Sequence, residues 1–358
     1  MILIITYITI CLIIIAYTTV YSISLRSQSK RQTDLIEKFS AALAELPLTD
    51  LKSDSWTTFQ KRFKSEGRHI NKLYCYDEAL LQFVRDEEWA EIFFSKMSDS
   101  YVSLAHYYQK NYIQERVYFV QHISQYGHFF TDKQLFEQLI IYMNRRNVVE
   151  RESVLQALYA YGDIGLVKKA YHLIASKNKF HHSKLIADGL VYADIPNDEW
   201  ADSLWQDFDT YPESIQIGIV KYIQSISGSY TEIFYDYLEK GEWTLDVRLN
   251  MIRYFRKYPY QPAYTRLLAL LDGTLVASDE YRVVAAFTLA AYPNNETVAV
   301  LKQALHDSEW YVRVNASKSL LALKVPMQQL VEILEGDDRY AREMITYQYT
   351  EMEENRGG

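Results

Sequence analysis

The sequence is poor in the residues that crosslink or turn a chain. Its 358 residues include two cysteines, Cys11 and Cys75, too few for a disulfide framework or a thiolate zinc cluster. It has only 12 glycines and 7 prolines, whereas a β-sandwich or barrel of this length needs many tight turns. Apolar residues make up 49% of the chain, so extensive disorder is also excluded. These features disfavour an all-β fold.

Acidic residues outnumber basic ones, with 46 Asp and Glu against 38 Lys and Arg. The net charge is −8, and because Arg26, Lys30 and Arg31 give the first 31 residues +3, the remaining chain carries −11. Nucleic-acid binding usually depends on a basic surface. No nucleic-acid partner is therefore expected.

Residues 1–25 contain no charged side chain. The apolar stretch at 2–23 is about 33 Å long as a helix, against about 30 Å of bilayer hydrocarbon. It predicts a transmembrane anchor helix at 2–23, followed by a basic juxtamembrane link at 24–33. The basic residues after it predict that the N-terminus faces outward and the remaining chain faces the cytoplasm. A cleaved signal peptide is the alternative, but that needs basic residues before a shorter apolar core and a small-residue cleavage site.

Beyond the anchor, an apolar pattern recurs every 29 to 35 residues. Eight positions, which we call register positions, are each followed by apolar residues three, seven and ten places later. This spacing places the apolar residues on one face of a helix. The register positions are Arg116, Arg151, Ser183, Gln216, Arg248, Arg282, Arg313 and Arg342. Further apolar segments lie between these helices, at 132–143, 164–175, 199–208, 232–238, 263–271, 296–305 and 327–334. Two helices per repeat predict an all-α fold, an α-solenoid preceded by one transmembrane helix.

The best-defined repeat identifies the repeat type. Its stretch Asp307…Val312-Arg313…Ala316…Leu320 resembles the second helix of HEAT repeats, particularly the short bacterial kind also found in phycobilin lyases. The resemblance is strong at 294–324, good at 246–292 and weaker at 105–226. It implies a HEAT-like repeat solenoid at 105–358. Residues 34–104 are predicted to form helices at 34–46, 56–66 and 77–97, as an N-terminal cap or degenerate repeats.

Six repeats carry an arginine at the register position, and an acid precedes each arginine by at most six residues. Such an acid favours a helix N-terminus, and in the HEAT repeats that this chain resembles the Asp/Arg pair is structural. We therefore interpret these residues as a structural arginine ladder, formed by Arg116, Arg151, Arg248, Arg282, Arg313 and Arg342 with Asp307. The alternative is a row of cations that binds an anionic partner. Trp310 and Tyr311 are candidate partner contacts, because interfaces favour these residue types.

No catalytic, cofactor or metal-binding motif is present, and none of these sites is predicted. The expected function is that of a non-enzymatic scaffold or adaptor, which is anchored in the cell membrane and binds a partner protein through its solenoid surface. The expected partner is a membrane protein or a membrane-associated complex. The alternatives are a HEAT-type lyase or nucleic-acid enzyme, both suggested only by the resemblance. An extracytoplasmic binding protein is a further alternative if the anchor is inverted or cleaved.

Overall fold

The computed structural model describes residues 2–193, 197–240, 243–276 and 278–356. Within these ranges the chain is all-α, with helices joined by short turns and no strand. This confirms the predicted all-α class and is consistent with an α-solenoid. The chain divides into two compact units, Met1–Lys179 and Phe180–Gly358.

The described part of the first unit contains eight α-helices. They are α1 (Ile2–Ala44), α2 (Asp54–Glu66), α3 (Ile70–Leu80), α4 (Glu87–Tyr108), α5 (Ile113–Gln125), α6 (Lys133–Ile140), α7 (Val148–Tyr161) and α8 (Ile164–Ser176). Two short 3-10 turns, Gly127–Phe129 and Ile141–Asn144, follow α5 and α6.

The described part of the second unit contains eleven α-helices. They are α9 (Ser183–Tyr192), α10 (Asn197–Gln206), α11 (Glu213–Ile226), α12 (Thr231–Lys240), α13 (Leu245–Lys257), α14 (Gln261–Leu271), α15 (Asp279–Thr288), α16 (Asn295–Ala304), α17 (Trp310–Ala322), α18 (Val331–Leu334) and α19 (Arg339–Arg356). Short 3-10 turns at Phe208–Thr210, Leu289–Ala291 and Met327–Leu330 follow α10 and α15 and precede α18.

The odd-numbered helices from α5 onward carry the predicted register. In the first unit α5 packs on α7, and in the second unit each odd helix from α9 to α17 packs on the next odd helix. The residue three places after each register position is fully buried in all eight helices, namely Phe119, Val154, Ile186, Ile219, Met251, Ala285, Ala316 and Ile345. The residue seven places after it is also buried, except for the half-buried Tyr349. The sequence pattern therefore marks the core face of these helices.

The third position of the pattern is less regular because most of these helices end there. Three of its residues are buried, namely Tyr126, Ala193 and Tyr292. Four others are only half-buried, namely Tyr161, Ile226, Tyr258 and Leu323. The side chain of Met352 lies outside the described residues.

Capping residues separate the paired helices α7 and α8. Gly162 ends α7 with φ +84°, a left-handed conformation that suits glycine. The next residue, Asp163, starts α8 by accepting a hydrogen bond of 3.0 Å from the Leu166 amide. Gly218 serves a different purpose, because a Cβ there would lie 2.7 Å from Ile186 Cγ2, so α9 and α11 approach closely.

The prediction of a single helix at 77–97 is wrong. The chain forms two helices here, since α3 ends at Leu80 and α4 begins at Glu87. The carboxylate of Asp86 accepts a hydrogen bond of 3.2 Å from the Trp89 amide. Asp86 is thus the N-cap of a new helix, and its two acidic neighbours lie in the favourable first turn.

Helix α1 runs without interruption through residues 24–33. Near its C-terminal end Phe39 and Leu43 are fully buried, whereas every side chain from Ile13 to Ser24 is exposed. Among the described residues, no helix is long and apolar enough to cross a membrane. Four assignments therefore stay predictions, namely the anchor at 2–23, the link at 24–33, the cap at 34–104 and the solenoid boundaries at 105–358.

Candidate partner-binding groove

The ladder arginines make different contacts, and one of these is a buried ion pair in the first unit. Arg116 on α5 donates from Nε to Glu150 Oε1 at 2.6 Å and from Nη2 to Glu150 Oε2 at 3.2 Å. Both side chains are buried. This two-point contact joins α5 to α7, so Glu150 pairs with the arginine of the preceding repeat.

Two arginines of the second unit also contact the next repeat. Arg248 on α13 donates from Nη1 to the Tyr281 hydroxyl of α15 at 3.1 Å. Arg282 on α15 forms ion pairs with Asp279 on its own helix and with Asp307, which precedes α17. Asp307 is therefore positioned as a contact between repeats.

Arg151 and Arg342 hydrogen-bond to backbone carbonyls near the start of their own helices. Arg151 Nη1 donates to Arg146 O at 2.9 Å and to Asn147 O at 3.3 Å. Arg342 donates to Gly336 O. These bonds satisfy carbonyl groups just before α7 and α19.

Arg313 on α17 differs from the arginines that pair with acids. Its guanidinium lies over the ring of Tyr340 on α19, 5.1 Å from the ring centroid. No carboxylate of the described residues lies within ion-pair distance of it. Its Nε is buried and has no hydrogen-bond partner among the described residues.

The acid before α19 is engaged elsewhere. Asp338 Oδ1 accepts hydrogen bonds from the amides of Tyr340 at 3.0 Å and Ala341 at 3.1 Å, and so caps α19. Its other oxygen lies 2.7 Å from His306 Nδ1. The contact with His306, together with these amides, holds the pKa of Asp338 below its ordinary value. Asp338 thus does not supply the carboxylate that Asp307 supplies to Arg282.

A groove of about 470 Å³ opens between α17 and α19 at this point. We call it the α17–α19 groove; it is lined by Trp310, Arg313, Val314, Lys318, Tyr340, Glu343, Met344, Tyr347 and Gln348. Three of its aromatic side chains face solvent, with Trp310 51%, Tyr340 65% and Tyr347 62% exposed. Its volume falls within the range of about 300–1,000 Å³ that is usual for ligand pockets.

The two predicted contact residues lie next to each other but differ in position. Trp310 lines the groove, whereas Tyr311 is exposed beside it, with the two rings edge to face at 4.8 Å. Sequence reasoning missed Tyr340 and Tyr347. Tyr347 lies five residues after Arg342, as Lys318 lies five residues after Arg313, so the two occupy equivalent positions of α19 and α17.

The groove holds no group that points to a metal. Among the described residues, no three His, Cys, Asp or Glu side chains come together in a way that could hold a metal ion. What the groove offers is aromatic surface and two cations, Arg313 and Lys318.

Comparison with known families supports the resemblance for part of the chain. The family described as HEAT repeats matches residues 265–348. This segment contains every residue that lines the α17–α19 groove. No curated protein and no solved structure matches the chain.

Proposed function

We propose that the protein is a non-enzymatic scaffold, which is tethered to a membrane and binds a partner protein in the α17–α19 groove. The observation that carries this proposal is the cluster of exposed aromatic side chains within the segment that matches HEAT repeats. Monomeric surfaces rarely leave such side chains clustered without a use. Trp, Tyr and Arg are also the residues that most often dominate protein–protein binding.

The tether rests on residues 2–23. No charged residue occurs in positions 1–25, and the apolar side chains of Ile13, Ile15 and Ile23 are exposed. Farther along the same helix, Phe39 and Leu43 are fully buried. Exposed apolar side chains between Ile13 and Ile23, on a helix whose other end is buried, call for another cover, and bilayer hydrocarbon supplies one.

The basic residues Arg26, Lys30 and Arg31 set the proposed orientation, with the N-terminus outside and the repeats in the cytoplasm. A partner that is itself a membrane protein, or part of a membrane-associated complex, then meets the groove close to the bilayer. HEAT repeats are suited to this function because stacked helices present extended binding surfaces.

Site-specific photocrosslinking in native membranes tests this proposal. With benzoylphenylalanine in place of Tyr347, irradiation of the full-length protein is expected to give a discrete crosslinked protein. The same group in place of Tyr112 is the control, because Tyr112 is 82% exposed but belongs to the other unit. Removing residues 1–31 is expected to move the protein out of the membrane fraction.

Two results would count against the proposal. Equal crosslinking to the same protein from positions 347 and 112 would mean that the groove has no special function in docking. A protein that lacks residues 1–31 and still sediments with membranes, resisting extraction at high salt, would mean that residues 2–23 are not the tether.

A further inference from the structure

We infer that the α17–α19 groove recognises an acidic peptide segment of its partner, in which a Glu or Asp is flanked by apolar side chains. This inference rests on the proposed function and adds the chemistry of the bound segment. It is carried by the charges in the groove and by the contacts that each charge already makes.

Arg313 differs from the two ladder arginines that have acidic partners, Arg116 and Arg282. Arg116 pairs with Glu150, and Arg282 pairs with Asp279 and Asp307. Arg313 occupies the same register position but contacts the ring of Tyr340 instead.

The geometry of this contact leaves the guanidinium able to bind an anion. A guanidinium stacks on an aromatic ring through its flat face, whereas its N–H groups donate from the edge in the same plane. The guanidinium carbon of Arg313 lies over the Tyr340 ring, 5.1 Å from its centroid. Since no carboxylate of the described residues pairs with Arg313, its N–H groups can donate to a carboxylate of a bound peptide while the guanidinium stays over the ring.

The groove contains two further charged side chains, Lys318 and Glu343. Lys318 is exposed, and no described carboxylate lies within ion-pair distance of it. Glu343 is the acid of the groove, and Arg339 already pairs with it at 2.7 Å. The groove thus presents two cations whose charge no neighbouring carboxylate neutralises, on a chain whose net charge is −8.

The groove also has an apolar surface. Trp310, Tyr347 and Met344 line the groove beside the two cations. Apolar side chains on both sides of a carboxylate would cover these rings and exclude water from the ion pair, which strengthens it. The rest of the chain is acidic and would repel a long polyanion such as a nucleic acid, which extends beyond the groove. A short acidic segment avoids this repulsion.

Fluorescence anisotropy with three labelled peptides tests this inference on the full-length protein in detergent. The peptides share Leu and Phe flanks and differ at two central positions, which are Glu-Glu, Gln-Gln or Lys-Lys. The Glu-Glu peptide is expected to bind at least about tenfold more tightly than the Gln-Gln peptide, and the Lys-Lys peptide more weakly still. Raising the salt concentration should reduce the preference.

Variants assign the preference to the groove. Arg313→Gln is expected to bring the affinity for the Glu-Glu peptide down to that for the Gln-Gln peptide. Lys318→Gln, which changes an exposed side chain and leaves the core intact, should reduce the preference by a smaller factor. Lys184→Gln is the matched control, since Lys184 is also exposed in the second unit but does not line the groove, and it should have no effect.

Equal affinity for the Glu-Glu and Gln-Gln peptides, or no binding of either, would overturn the inference. A preference for the Glu-Glu peptide that survives in both Arg313→Gln and Lys318→Gln would also overturn it. The same holds if a single-stranded oligonucleotide binds more tightly in the same groove and displaces the Glu-Glu peptide. The proposed function fails independently, if position 347 gives no specific crosslink. A specific crosslink without any preference for acidic peptides would leave docking in place and refute only the acidic ligand.

Discussion

Replacing Glu150 with alanine is expected to lower the free energy of unfolding by about 3–5 kcal/mol, because removing one partner of a buried ion pair leaves the other charge uncompensated. Glu150 and Arg116 are both buried and joined by two hydrogen bonds. In Glu150→Ala, the guanidinium of Arg116 would remain in the interior between α5 and α7. Urea unfolding of the full-length protein in detergent, followed by circular dichroism, measures the loss.

A second variant separates the stranded charge from the loss of the pair itself. Replacing both residues with methionine should recover much of the stability lost in Glu150→Ala, because apolar side chains of similar size need no partner. Glu332→Ala is the matched control, since Glu332 pairs with Lys302 on the surface and should cost at most about 1 kcal/mol. Similar losses in Glu150→Ala and Glu332→Ala would show that the ladder contact is not structural.

Replacing Leu320 with aspartate is expected to be as damaging, with a loss of several kcal/mol, because a carboxylate would be buried without a partner. Leu320 is fully buried on α17, and this helix packs against α15, α16 and α19. Since stacked repeats support one another, hydrogen exchange should rise first in these neighbouring helices.

Ala322→Asp is the control for Leu320→Asp. Ala322 lies two residues later on the same helix and is exposed, so its replacement should change the free energy of unfolding by less than about 1 kcal/mol. If Leu320→Asp unfolded at the same urea concentration as the parent, the register of α17 would be misassigned.

The repeat architecture was predictable from sequence because it depends on short-range periodicity. Apolar residues three and seven places after a register position define one face of a helix, whatever the rest of the chain does. All eight residues at the offset of three are buried. The helices between them were predictable as well, since turn residues such as Gly162 and Asp163 separate each pair.

The contacts between repeats were not predictable in the same way. Glu150 stands next to Arg151 in the sequence, so it reads as the acid of that repeat, yet it pairs with Arg116 on the preceding odd helix. Likewise, Asp86 reads as a surface residue of one long helix, although it caps α4. Such choices depend on which side chains meet across helices, and a periodic pattern does not record them.

The functional residues were predictable only in part for the same reason. Trp310 was recognisable from its residue type, and the structure adds that it lines a groove with Tyr340 and Tyr347. Arg313 was assigned to the structural ladder because it shares the register of the other arginines. Its contact with Tyr340 in place of a carboxylate is visible only in the fold.

The central claim is that the aromatic side chains of the α17–α19 groove serve binding and not folding, and Trp310→Ala tests it most directly. The measurement compares the free energy of unfolding with the yield of partner crosslinked from position 347 in native membranes. Trp310 is half exposed, so the free energy should change by no more than about 0.5 kcal/mol. Crosslinking should fall by about 30-fold or more, the loss expected when an interface anchor worth about 2 kcal/mol is removed. A variant that loses about 2 kcal/mol of stability, yet crosslinks its partner as well as the parent does per folded molecule, would contradict the claim.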